Sequence, residues 1–195
     1  MTCIVGFTDK AKGVTYIGVD SQGSAGYHYR IRKDKKVFKL KDTDNALAGF
    51  TTSFRMGQLL MYATGLIDKR DEPDIDHEYI TTKFVPKLIR VFEDGGFARS
   101  DSGEKSGGTF LLAYKDKLWR IENDYQVAEY EKGYDACGCG EQYALGSLKT
   151  SEGLDMDPVA RIHLALETAA SFSCGVGAPF YIMNTKDDEV IEFTS

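Results

Sequence analysis

The chain has 195 residues, with 24 Lys and Arg against 30 Asp and Glu, a formal charge of −6 and an apolar share of 42%. That length fits one folded domain over residues 1–195, and the acidic balance argues against a nucleic-acid or membrane-surface partner. No run approaches the ~18 apolar residues needed to span a bilayer, and the start Met1-Thr2-Cys3-Ile4-Val5 carries no basic or long apolar leader, so a cytoplasmic protein is expected.

In chain order, residues 3–7 and 14–19 are nearly continuous apolar runs joined by Asp9-Lys10-Ala11-Lys12-Gly13. They read as a hairpin covered on both faces. A turn-rich stretch over 21–26 leads to 30–41 and then to a second buried run, 46–50. Helical spacing follows: Thr52 or Ser53 is the N-cap, and Met56, Leu59, Leu60, Ala63 and Ile67 share a face. A second helix over 76–92 aligns Ile80, Phe84, Leu88 and Phe92, with Pro86 expected to kink or split it. Residues 95–108 are polar and glycine-rich and read as a mobile loop.

A hairpin is expected over 109–114 and 118–122, then a strand over 126–130. Cys137-Gly138-Cys139-Gly140 forms a glycine-flanked turn before a helix over 141–149. Asp157-Pro158 starts the last helix, whose stripe is Val159, Ile162, Leu166 and Ala169. Residues 180–184 and 190–193 close the chain as a hairpin. Strict βαβα alternation is absent. The pattern predicts an α+β fold, a four-layer αββα sandwich of two antiparallel sheets flanked by helices.

Four cysteines (Cys3, Cys137, Cys139, Cys174) are expected to be free thiols. Cys137-Gly138-Cys139 lacks zinc-knuckle spacing, and His28, His77 and His163 are scattered, so no metal or cofactor is expected.

Thr2 is a candidate nucleophile. Removal of Met1 before a small residue would leave a threonine with a free α-amine, whose reference pKa of about 7.7–8.0 suits a general base. One residue then carries nucleophile and base. Lys36 falls by alternation on the face of Phe38 and Leu40, where an ammonium needs a carboxylate. Asp20, after the run 14–19, is the candidate partner; the bland alternative is a snorkelling Lys36 and a turn-forming Asp20. Gly49, near the end of a buried strand, could offer its N–H to an oxyanion, or merely pack there.

Together these residues resemble the proteasome β-type and HslV-like N-terminal nucleophile (Ntn) hydrolases. Thr2-Cys3-Ile4-Val5 is similar to the family's mature start, Gly18-Val19-Asp20-Ser21 to its strand end, and Lys35-Lys36-Val37-Phe38-Lys39-Leu40 to its lysine motif. Ala48-Gly49-Phe50 and Ser106-Gly107-Gly108-Thr109 follow in order, and Gly138-Cys139-Gly140 falls at the family's Gly-Ser-Gly. The resemblance is weakest over 63–106.

It implies that Thr2 is the nucleophile, Lys36 lowers the pKa of its site, Asp20 pairs with Lys36, and Gly49 N–H stabilises the oxyanion. Cys139 stands where the family has serine. Ser173, in Ser173-Cys174-Gly175-Val176-Gly177, stands at a family aspartate, with no hydroxyl assured after it. Thr51, Thr52 and Ser53 would line the first specificity pocket. The resemblance also implies a peptide or unfolded-protein substrate, a homo-oligomeric ring or related assembly, and an ATP-dependent unfoldase as a partner. A backbone-carbonyl cation site near 177–184 occurs in relatives. Two other classes fit the same residues: a silent shell protein that retains Met1, and a small-molecule amidase.

Overall fold

The computed structural model describes residues 1–71, 75–97, 99–101 and 104–194. Fourteen strands are described: β1 (Cys3–Asp9), β2 (Val14–Val19), β3 (Gln22–Ala25), β4 (His28–Ile31), β5 (Val37–Lys39), β6 (Ala46–Phe50), β7 (Arg99–Asp101), β8 (Glu104–Ser106), β9 (Phe110–Tyr114), β10 (Lys117–Ile121), β11 (Val127–Ala128), β12 (Tyr134–Gly138), β13 (Phe180–Asn184) and β14 (Ile191–Phe193). The helices are α1 (Phe54–Tyr62), α2 (His77–Tyr79), α3 (Val85–Asp94), α4 (Glu141–Thr150) and α5 (Pro158–Phe172).

Two five-stranded antiparallel sheets form the centre, in the orders β12-β1-β2-β13-β14 and β11-β10-β9-β6-β5. Three apolar layers hold them. Ile4, Ile17, Val19, Leu47, Leu111 and Leu118 fill the space between the sheets. Val5, Ala144, Leu148, Ile162 and Leu166 join α4 and α5 to the first sheet. Phe50, Met56, Leu60, Phe84, Leu88 and Phe110 join the other helices to the second. This is the αββα sandwich expected, and its doubly covered strands explain why residues 3–7 and 46–50 lack polar alternation.

The α1 cap is Ser53, whose side chain accepts from Arg55 and Met56 N–H. Pro86 does not break its helix. Residues Ile80–Phe84 wind as a π-helix, and Pro86 enters in the first turn of α3, so the wider turn absorbs the ring. Asp157 caps α5 by accepting Val159 N–H.

Four expectations need correction. The turn-rich stretch after residue 21 is a two-stranded hairpin, β3 with β4. The stretch read as a loop over 95–108 contains a second hairpin, β7 with β8; residues 98, 102 and 103 of that stretch lie outside the described residues. The strand expected over 126–130 shrinks to Val127–Ala128. The turn before α4 is preceded by a full strand, β12, which Asp135, Cys137 and Gly138 disguise in the sequence.

Candidate active site

β1 and β2 run antiparallel with Ile4 opposite Val19. The register therefore sets the residue after β2, Asp20, beside the start of β1, and Asp20 N–H donates to Cys3 O at 3.3 Å. Lys36 immediately precedes β5 in the other sheet, and its carbonyl accepts Phe50 N–H. Its side chain crosses to the first sheet, so the site lies where the two sheets meet.

All three side chains are buried: Thr2 is 4% exposed, Lys36 1% and Asp20 0%. The Lys36 ammonium donates to Thr2 Oγ1 at 2.9 Å, Asp20 Oδ1 at 2.7 Å and Gln22 O at 2.6 Å. Those acceptors use its three protons. Asp20 is equally saturated. Oδ1 also accepts Cys3 N–H at 3.0 Å, while Oδ2 accepts Gln22 N–H at 3.0 Å and Gly177 N–H at 3.3 Å. Pairing, not snorkelling, is therefore the arrangement of Lys36 and Asp20.

Burial pushes the Lys36 pKa below its ordinary value, with the Asp20 carboxylate pulling it back up. Burial also pushes the Asp20 carboxyl up, opposed by the Lys36 ammonium and the backbone N–H donors. Either proton shift would empty a bond in the network. A cation is thus fixed against the Thr2 hydroxyl, where it favours the alkoxide character a nucleophile develops.

Thr2 is still acylated by Met1, and its hydroxyl donates to Met1 O. Its N–H points at Cys139 Sγ, 3.3 Å away, and that sulfur lies 3.3 Å from Ser173 Oγ. Ser173 thus reaches Thr2 through Cys139. The turn that presents Cys139 requires glycine. Gly138 has φ +101°, and a Cβ there would stand 2.2 Å from Thr2 O. Gly140 N–H holds the same carbonyl at 3.3 Å.

Gly49 does not supply an oxyanion donor. It lies inside β6, in register with Val37 on one side and Leu111 on the other. Phe50 N–H donates toward β5, to Lys36 O, and Thr51 N–H toward β9, to Thr109 O. By the alternation of an antiparallel ladder, Gly49 N–H faces Leu111 and is committed to the sheet. Its lack of a side chain serves packing, since a Cβ would meet Ile17 and Ile4 at 2.7 and 2.8 Å.

Thr52, expected as a cap or a pocket-lining residue, is not the α1 cap but does border the Thr2 cavity, and its main-chain N–H was not foreseen as a donor. Thr52 follows the end of β6 in a left-handed conformation, φ +69°, an unusual state for a β-branched residue. Its Oγ1 accepts Thr109 N–H at 3.1 Å, which holds that conformation. Among the described residues its own N–H has no acceptor. Thr52, with Thr51 and Ser53, borders a cavity of about 70 Å³ that Met1, Thr2, Ser24, Phe50 and Phe54 complete. Only the oxyanion-type chemistry, not a local motif, marks this position in the sequence: a polar residue just past a buried strand.

Among the described residues no cluster of His, Cys, Asp and Glu could hold a metal ion. Near residue 177, Ser21 N–H takes the Gly177 carbonyl at 3.1 Å and the Ser21 hydroxyl donates to Pro179 O.

No protein-family model and no curated protein sequence matches the chain. Solved structures match it in fold. Thiobacillus denitrificans BPH in complex with epoxomicin has a TM-score of 0.73 at 18% identity, covering 94% of this chain and 97% of that one. Eukaryotic HslV from Trypanosoma brucei gives 0.68 at 15%, covering 94% and 98%. Anbu (ancestral beta-subunit) from Yersinia bercovieri gives 0.67 at 12%, covering 100% and 88%. At such identities the likeness is one of fold.

Proposed function

We propose that this chain, which has the proteasome β-type and HslV-like Ntn-hydrolase fold, is a threonine-type endopeptidase subunit activated by removal of Met1. The observation that carries the reading is the Lys36 ammonium, saturated by Thr2 Oγ1, Asp20 and Gln22.

Cleavage after Met1 turns the Thr2 amide nitrogen into an amine. Thr2 Oγ1 then attacks a peptide carbonyl carbon, and its proton passes to that amine. The oxyanion is received at the unengaged Thr52 N–H, a donor type typically worth ~2.7–4 kcal/mol of barrier. Collapse breaks the C–N bond, and the leaving amine takes the proton. Water then cleaves the Thr2 ester, again giving its proton to the α-amine, and the hydroxyl returns. Cys139, with Ser173 behind it, orients the amine through the contact that now holds the amide N–H.

The substrate class is a peptide or unfolded protein. The chain works in a homo-oligomer, with an ATP-dependent unfoldase as the partner class implied by the sequence resemblance. Protein with a verified Thr2 start is expected to cleave fluorogenic peptides, to gain the mass of epoxomicin (the ligand of Thiobacillus denitrificans BPH) and to scatter light as a multiple of one chain. Thr2→Ala is expected to abolish cleavage and adduct while keeping the assembly. Equal cleavage by both proteins would remove Thr2 from the chemistry, and retention of Met1 in native material would favour a silent shell protein. A monomer at micromolar concentration would overturn the assembly.

A further inference from the structure

Beside the Thr2 cavity, and sharing Ser24 and Phe54 with it, lies a second and larger one of about 350 Å³. Its wall is the β3–β4 hairpin. Strand alternation puts His28 and Arg30 on one face of β4, and Arg32, next in the same period, lies against that face. Opposite them on β3 stand residues with almost no side chain: Ala25 is paired with His28, and Gly23 with Arg30. A Cβ at Gly23 would stand 2.9 Å from Arg32 and 3.4 Å from Phe54. His28, Arg30 and Arg32 thus stand beside two small residues in the cavity, whose lining Ser24, Tyr29, Ile31 and Phe54 complete.

Its lining carries Arg30 and Arg32 and no Asp or Glu, in a chain of net charge −6. Between residues 28 and 41 the sequence has seven Lys and Arg and a single Asp. That aspartate, Asp34, is taken: it forms a two-point pair with Arg32 at 2.8 and 2.6 Å. Arg32 is fixed in addition over the Phe54 ring, 3.8 Å from its centre. Arg30 is exposed and has no ion-pair partner among the described residues. Its planar fork suits a carboxylate.

We propose that the His28–Arg30–Arg32 face of the hairpin is a specificity subsite that takes an acidic side chain of the peptide held at Thr2, with Arg30 as its reading residue. This rests on the peptidase reading for its location, but not for its chemistry. Arg32, immobilised by Asp34 and Phe54, forms the rigid floor, and Arg30 supplies the uncompensated charge.

The test uses short labelled peptides identical except for one Asp or Glu exchanged for Asn or Gln, moved along the peptide. Binding is measured by fluorescence anisotropy on Thr2→Ala protein, and cleavage on Thr2-started protein. At one position the acidic peptide is expected to bind roughly tenfold more tightly than its amide twin, as for a charge-assisted hydrogen bond. Arg30→Ala is expected to erase that ratio, and Lys33→Ala, an exposed charge on the opposite alternation, to preserve it. Equal binding of acid and amide at every position, no binding of either, or a ratio that survives Arg30→Ala overturns the subsite. An acidic preference in binding without any cleavage leaves the subsite standing and sinks the peptidase. Cleavage with no acidic preference does the reverse.

Discussion

Asp20 and Asp135 are both buried carboxylates of the first sheet, 0% and 5% exposed, yet their surroundings differ in kind. Asp20 accepts four hydrogen bonds, including one from an ammonium that has no other duty than to join it, Gln22 and Thr2. Asp135 accepts Ala136 N–H through Oδ1, while its Oδ2 has no partner among the described residues. Its nearest cation, Arg120, stands 3.9 Å away and is bound instead to Glu141 at 2.8 Å and to Ala136 O at 2.9 Å, with Glu122 2.6 Å from its Nε. Burial, with Glu141 and Glu122 nearby, pushes the Asp135 pKa up to about 6, against the pull of Ala136 N–H and Arg120. One carboxylate has an ammonium and three N–H donors to offset its burial. The other is a charge the fold tolerates poorly.

The comparison breaks most readily at Lys36. Lys36→Met keeps the stem but leaves Asp20 without its cation and Thr2 Oγ1 without its donor. Breaking one side of a buried ion pair costs about 3–5 kcal/mol, and the loss of a charged group at the nucleophile is expected to lower kcat by at least about 10²–10³. Urea denaturation and peptide cleavage on Thr2-started protein read the two effects. A stability loss under about 1 kcal/mol would mean that Asp20 is no better satisfied than Asp135.

At Asp135 the sign reverses. A carboxyl whose pKa is higher folded than unfolded binds more protons when folded, so between about pH 4 and 6 stability falls as pH rises. The benefit of the neutral form is complete below the unfolded pKa and is lost above the folded one. Asp135→Asn removes the charge, and is expected to stabilise the protein by about 1–3 kcal/mol at pH 7.5 and by about a third of that at pH 4.5. Denaturant titrations at the two pH values check this. Destabilisation at pH 7.5 would show that Arg120 pairs with Asp135 more strongly than its 3.9 Å separation indicates.

The unequal visibility of these groups in the sequence follows from the physics of each. The Thr2, Asp20 and Lys36 set was legible through the family resemblance. The residues alone raised only the question of a partner for a lysine among apolar neighbours, and the strand register that places Asp20 beside Cys3 answers it. The doubly covered strands were legible from the residues themselves, as unbroken apolar runs. The backbone conformation of Thr52 was not, since that left-handed state depends on a contact with Thr109, 57 residues away. Gly49 attracted the oxyanion role through residue type and the resemblance, whereas its N–H is committed by β9, an expected strand whose pairing with β6 the local sequence does not reveal. Asp135 was hidden because β12 mixes glycine, cysteine and a charge. Its burial comes from Arg120 and Glu141, which belong to a different sheet and to a helix.

The smallest expected effect is at Cys139, which follows β12 and joins the two regions. Its thiol is a weak acceptor for the Thr2 nitrogen, and the Thr2 hydroxyl is already positioned by Lys36. Cys139→Ser keeps a hydrogen-bonding atom between Thr2 and Ser173, so under reducing conditions its cleavage rate is expected within about threefold of the parent. Cys139→Val removes that atom and is expected to cost up to about tenfold, the scale of one neutral hydrogen bond. Peroxide separates the two roles further, because the thiol is exposed whereas Cys3 is buried and its thiol is pushed up by that burial. The parent should lose activity on oxidation, and Cys139→Ser should keep it. If valine were as active as serine, the amine would need no partner beyond the Lys36 network. Orientation of Thr2 would then rest on the Asp20 side of the site alone.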